Sequence, residues 1–216
     1  MSGRGVFITF EGGDGSGKST QLKLLAHRLE AAGIPVRVLR EPGGTAVGEA
    51  VRAILLNPDH VGLDDTAEIL LYEAARAQLV SEVIEPALEA GTTVLCDRFY
   101  DSSTAYQAYG RGLDATMVAG LNAAATGGLT PDVTVYLALP VGEAMPRATA
   151  GGADRIEGEP HDFHQRVLDG FEAIAAADPA RVVRVDASGT PERVAECVWA
   201  AVRPAAVSRG VLPAGE

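Results

Sequence analysis

The run Gly12-Gly13-Asp14-Gly15-Ser16-Gly17-Lys18-Ser19 sets a glycine, four residues and then Gly-Lys-Ser between an apolar segment and a helical pattern. That spacing is a phosphate cradle. Its glycines let the backbone turn N–H groups toward phosphate oxygens, and the helix that follows adds the positive end of its dipole. Lys18 can reach the outer phosphates, and Ser19 offers a hydroxyl to magnesium. Asp97 closes the apolar run Thr93-Val94-Leu95-Cys96 and is the natural carboxylate partner for that metal. An aspartate in that position also serves as a helix cap, so its weight comes from the cradle.

Further polar pairs recur at helical spacing. Tyr72 and Arg76 are four apart and share a face, which brings an aromatic plane and a guanidinium together. The pair suits a pyrimidine, stacked on Tyr72 and bonded from Arg76 to a base carbonyl; it equally suits an aromatic core residue beside a surface arginine. Ser102 with Tyr106, and Ser103 with Gln107, repeat the spacing after Asp97-Arg98. Helix capping is the plain alternative for the two serines. His161 and His164 lie three apart without convergent cysteine or carboxylate spacing and are expected to be exposed helix residues. Cys96 and Cys197, in apolar stretches, are expected to be buried free thiols.

The elements that must position these groups alternate. Strands are expected at 6–10, 36–39, 93–97, 133–138 and 182–186. Helices are expected at 19–32, 46–56, 66–90 with a break or kink at Pro86, 102–109, 115–125, 162–177 and 191–202. Five strands interleaved with helices predict an α/β fold of three layers, with a mainly parallel five-stranded sheet covered on both faces. One domain spans 1–203. A loop or lid is expected at about 146–160, where Pro146, Gly151, Gly152, Gly158 and Pro160 break the pattern, and a frayed tail from Pro204 to Glu216.

The 216 residues are 47% hydrophobic and 22% charged, a globular make-up, and the net charge of −11 argues against a broad nucleic-acid surface. A small anion needs only a local positive pocket, and Lys18 and Lys23 are the only lysines, so the positive charge is nearly all arginine. No apolar run approaches a membrane span and no charged-then-apolar leader is present, so the cytoplasm is the expectation. A guanine-reading Asn-Lys-x-Asp element is missing, which demotes a regulatory GTPase. A motor or ATPase fits an acidic chain without a spare domain poorly, leaving a small-molecule kinase.

Arg40-Glu41-Pro42-Gly43-Gly44-Thr45, Tyr72-Glu73-Ala74-Ala75-Arg76-Ala77-Gln78, the segment from Asp97 to Gln107, and Asp154-Arg155-Ile156-Glu157 resemble, in order and spacing, the successive motifs of bacterial thymidylate kinases. The resemblance runs from the first strand to about residue 200. It implies a P-loop kinase fold, a homodimer, and transfer of the γ-phosphoryl group of ATP to dTMP with Mg2+. It also implies that Arg52 and Arg98 grip the acceptor phosphate, Arg98 facing the transferring group as well, and that Asp14 approaches the deoxyribose 3′-hydroxyl. By the same resemblance Ser103 and Gln107 are expected near the base, and Tyr106 under the sugar, where it disfavours a ribose 2′-hydroxyl. Tyr72 departs from the family's usual phenylalanine. Gly15 resembles the branch whose catalytic arginine comes from the lid, where Arg147 and Arg155 are the basic residues. Arg155 is expected to close over ATP.

Overall fold

The computed structural model describes residues 3–148 and 154–213, with the side chains of Arg147 and Ala148 outside that description. Five strands, β1 (Phe7–Glu11), β2 (Val36–Arg40), β3 (Thr93–Asp97), β4 (Val133–Ala138) and β5 (Val182–Asp186), form one sheet in the order β2-β3-β1-β4-β5. Every pairing is parallel. A parallel sheet needs crossovers that cover its faces, and strand alternation assigns side chains to the two sides. Val6, Ile8 and Phe10 pack with Leu22, Leu25 and Leu29 of α1 (Lys18–Ala31) and Val194, Val198 and Val202 of α9 (Pro191–Ser208). Phe7, Val94 and Cys96 face the opposite layer, against Leu79, Ile84 and Phe99. The expected three-layer α/β fold is what the structure shows.

That second layer holds α2 (Ala46–Leu55), α3 (Asp65–Leu79), α4 (Glu85–Glu89), α5 (Tyr100–Ser103), α6 (Ala115–Thr126) and α8 (His161–Ala177), while α7 (Val141–Ala148) follows β4. The helix expected over 66–90 is α3 and α4 joined by a π-helical turn at Val80–Ile84, and α5 likewise continues as a π-helix over Thr104–Gly110. Wider turns of this kind cluster at functional sites.

Three expectations are corrected. The last helix runs on through Pro204 to Ser208, because Ala206 is buried in the core and its packing outweighs the missing proline N–H. Part of the expected 146–160 loop is helical, since α7 extends to Ala148 with Pro146 inside it; residues 149–153 lie outside the description. Cys96 is buried, but Cys197 is exposed, on the outer face of α9.

Candidate active site

The cradle connects β1 to α1 at the carboxyl edge of the sheet, where open α/β folds bind ligands. Gly12 has φ 135°, and a Cβ there would stand 2.5 Å from the Leu137 carbonyl oxygen, so only glycine fits. Gly17 caps α1 in a left-handed conformation (φ 93°) without a side-chain hydrogen bond. Thr20 N donates to Gly17 O at 3.1 Å, but among the described residues no acceptor takes the amides of Lys18 and Ser19, which are left for an anion. Lys18 Nζ donates to the carbonyls of Gly12 (3.0 Å) and Gly13 (2.9 Å), which holds the ammonium over the loop. Burial, with Arg98 close by, lowers its pKa. Ser19 Oγ donates to Asp97 Oδ2 at 2.8 Å, uniting the two oxygens picked out as metal donors. Asp14, Gly15, Ser16, Gly17, Lys18 and Ser19 line one open cavity together with Ala187, Gly189, Pro191 and Val194.

A second cavity opens from the same point. Asp14, Arg52, Tyr72, Arg76, Arg98, Ser103, Tyr106 and Gln107, the whole expected acceptor set, line it together with Asp154, Ile156 and Glu157. The two cavities share Asp14, Glu41, Arg52, Arg98 and Glu157. The i,i+4 spacing is sufficient to bring Ser102, Ser103, Tyr106 and Gln107 to one wall, and the wider π turn narrows their spread.

Arg98 stands at the junction. Nη1 donates to Gly12 O and Ser102 Oγ, each at 3.1 Å; Nη2 donates to Asp14 Oδ1 (2.5 Å) and Tyr106 OH (3.1 Å). Tyr106 OH in turn donates to Asp14 Oδ2 at 2.9 Å. Burial works against the Asp14 carboxylate, but Arg98 and Lys18 outweigh it and hold its pKa well below the usual range. Arg98 has φ 72°, in the region that disfavours side chains. Arg52 Nη1 donates to Pro42 O at 3.0 Å, and among the described residues no carboxylate lies within ion-pair distance of it. Its charge faces both cavities without a carboxylate partner, which a simple surface salt bridge would not leave.

Some groups differ from expectation. Arg76 shares the Tyr72 face but is only 1% exposed: Nε donates to Glu41 Oε2 (2.8 Å), and Nη1 to Glu73 Oε1 and to Asn122 Oδ1 (3.1 Å). Most of its fork is therefore committed inside the protein, and among the described residues only Nη2 has no hydrogen-bond partner and is left for a ligand. Burial pushes Glu41 up to about 7 despite this arginine. Arg155 is directed away from the cradle, because Nε donates to Leu55 O at 2.7 Å and Nη2 lies 2.6 Å from Glu68 Oε2. The Arg147 side chain lies outside the described residues. His164 is buried, since Phe163, Val167 and Phe171 set the inner face of α8 and His164 adjoins it; His161 remains exposed.

Sequence reasoning missed the residues behind the walls. Glu11, at the end of β1, accepts from Phe99 N (2.7 Å) and Ser102 Oγ (2.6 Å), and burial, helped by Asp101, pushes it up to about 8. Glu68 binds Gln107, Arg111 and Arg155. It precedes Tyr72 by one turn, so the periodicity that found Tyr72 and Arg76 extends to it.

Comparison with known proteins agrees with this layout. The family model described as thymidylate kinase matches residues 10–198. A thymidylate kinase of Solidesulfovibrio magneticus is 53% identical over 205 residues, covering 91% of this chain and 98% of that relative. One from Synechococcus sp. (strain JA-3-3Ab) is 51% identical over 199 residues, covering 92% and 96%. The crystal structure of a thymidylate kinase from Ehrlichia chaffeensis superposes with a TM-score of 0.75 at 36% identity, covering 90% of this chain and 97% of that one. With the match spanning the cradle, the acceptor wall and the sheet that carries both, the chain belongs to the thymidylate kinase family.

Proposed function

We propose that the chain transfers the γ-phosphoryl group of ATP to dTMP, giving dTDP and ADP. The observation that carries the reading is the meeting of two cavities at Asp14, Arg52 and Arg98, one built as a phosphate cradle and the other walled by Tyr72, Tyr106 and Gln107. In the transfer, an acceptor phosphate oxygen forms a bond to the γ-phosphorus as the bond to the β,γ-bridging oxygen breaks. Such reactions depend on alignment and on cations that meet developing charge. Gly12, Gly13, Asp14, Gly15, Ser16 and Gly17 form the loop around the donor phosphates, with Lys18 against the outer ones. Arg52 and Arg98 hold the acceptor phosphate toward them.

Tyr72 stacks on the base, worth about 1–3 kcal/mol, while Arg76 Nη2, Ser103 and Gln107 supply polar contacts at its edge. Asp14, kept ionised by Arg98 and Lys18, accepts from the 3′-hydroxyl, and Tyr106 fills the space a ribose 2′-hydroxyl would need. The oxygen donors Ser19 and Asp97, already 2.8 Å apart, suit a hard cation that takes its remaining ligands from phosphate and water. Ser19 and Asp97 would hold Mg2+, which neutralises phosphate charge when bound. Arg147 is assigned to the donor side, because Arg155 is engaged elsewhere in this structure.

We further propose a cytoplasmic homodimer. Leu70 on α3 and Met117 on α6 are exposed apolar side chains on helices packed against each other, a face that a second copy would cover. No helix of the described residues is long and apolar enough to cross a membrane. Coupled measurement of ADP release with a panel of nucleoside monophosphates tests the activity. A preference for dTMP is expected; a different best acceptor would reassign the substrate, and ATP binding without turnover with any of them would refute the kinase reading.

A further inference from the structure

Glu68 is 0% exposed, yet its carboxylate has four donors around it. Oε1 accepts from Gln107 Nε2 (2.9 Å) and Arg111 Nε (3.2 Å), and Oε2 accepts from Arg111 Nη2 (3.0 Å) and lies 2.6 Å from Arg155 Nη2. Burial by itself raises the Glu68 pKa, but the bonds from Arg111 and Gln107 and the arginine charges outweigh it and hold it below the usual value. Two guanidinium groups thus keep this carboxylate ionised.

An ionised carboxylate accepts hydrogen bonds and has none to donate. The Gln107 amide must therefore turn its NH2 group to Glu68. Its carbonyl oxygen is left for the other side, and Gln107 lines the acceptor cavity. Among the described residues no donor reaches that oxygen.

We propose that Glu68 is a specificity-positioning residue: it locks the Gln107 amide with Oε1 toward the acceptor, so that the cavity takes a pyrimidine with an N–H donor at ring position 3 and rejects one with a lone pair there. Thymine and uracil carry that N–H, and cytosine carries the lone pair. A fixed acceptor facing a second acceptor leaves both without a hydrogen-bond partner, which is how a polar site excludes a near-isostere. A free amide would rotate to suit either base. The arginines contribute by holding the charge state of Glu68, and Arg155 brings the segment carrying Asp154, Ile156 and Glu157 to the same wall.

This inference rests on the dTMP kinase reading, and the test separates the two. kcat/KM is measured for dTMP, dUMP and dCMP with the wild-type chain, Glu68→Gln and Glu68→Asp. Glu68→Gln can present either end of its amide to Gln107, and Glu68→Asp keeps the charge but withdraws the acceptor, so it serves where the first variant folds poorly. The dTMP:dCMP ratio is expected to fall by about tenfold or more, the scale of one hydrogen bond, while the dTMP:dUMP ratio holds. With Gln107→Met as background, adding Glu68→Gln should leave the dTMP:dCMP ratio within about twofold. An unchanged dTMP:dCMP ratio in folded variants, or an equal change in dTMP:dUMP, overturns the role of Glu68. Absence of wild-type turnover with dTMP refutes the function, and this inference with it.

Discussion

Arg98 is held with φ 72°, the one non-glycine residue with positive φ among those described. Its N–H donates to Phe10 O at 2.9 Å, and the next amide, Phe99 N, is fixed on Glu11 Oε1 at 2.7 Å, so the surrounding bonds impose the conformation. The guanidinium needs this turn to reach Gly12, Asp14, Ser102 and Tyr106 at once. Removing the side chain separates the strain from the contacts: Arg98→Ala and Arg98→Gly lose the same fork but differ in Cβ. A left-handed residue with a Cβ costs about 1–2 kcal/mol, and the greater freedom of glycine in the unfolded chain gives back about 0.5–1 kcal/mol. Arg98→Gly should therefore be the more stable variant by about 0.7 kcal/mol, the middle of a difference spanning about 0–1.5 kcal/mol, the reverse of the usual order, or roughly 1–3 °C in Tm for a chain of this size. Urea titration of both variants, supported by thermal melts, reads the difference. Both should lack activity with dTMP. An alanine variant as stable as the glycine variant, or more so, would refute the strained-turn account of how Arg98 is aimed.

Three further outcomes are expected. Glu11 is raised from an ordinary 4.5 to about 8 in the folded protein, so the unfolded chain releases its proton first and folding loses stability as pH rises between those values; relative to Glu11→Gln, the wild type should weaken from pH 5 to pH 8, by at most about 1.4 kcal/mol per pH unit, and a flat difference in urea stability would show that the carboxyl titrates normally. Arg155→Ala should raise the KM for dTMP more than that for ATP, because Arg155 is tied to Leu55 O and Glu68 beside the acceptor cavity; a collapse of kcat with the dTMP KM unmoved would return Arg155 to the donor side. A Cβ at Gly110 would stand 2.8 Å from Phe163 Cε2 and 2.9 Å from Val167 Cγ2, so Gly110→Ala should destabilise by about 1–3 kcal/mol through overpacking of α8 on the π-helix, and a variant as stable as the wild type would show that this contact relaxes freely.

Features that depend on local spacing can be read along the chain. Gly12 to Ser19 specify a cradle because backbone turns and a helix start are set by neighbouring residues. β1, β3 and β4 could be found because parallel strands buried on both faces read as short apolar runs, and the half-exposed edge strands β2 and β5 because β-branched residues still recur in them. Tyr72 with Arg76, and Ser102 to Gln107, could be placed on common walls because helical periodicity is fixed whatever packs against it. Which charges meet depends on how the chain folds back on itself. Arg76 and Arg155 looked like free ligand arginines, since nothing in a linear chain shows that Glu41 and Asn122 close on one, or Glu68 and Leu55 O on the other. Glu11 and Glu68 looked like ordinary acidic residues, and only burial among distant partners makes one reluctant to ionise and keeps the other charged. His164 and Cys197 were misjudged for the same reason: which side of a helix is inside depends on the neighbour it meets. Spacing acts along the chain, whereas pairing and desolvation act across it, and for that reason the donor cradle was legible beforehand and the wiring of the acceptor site was not.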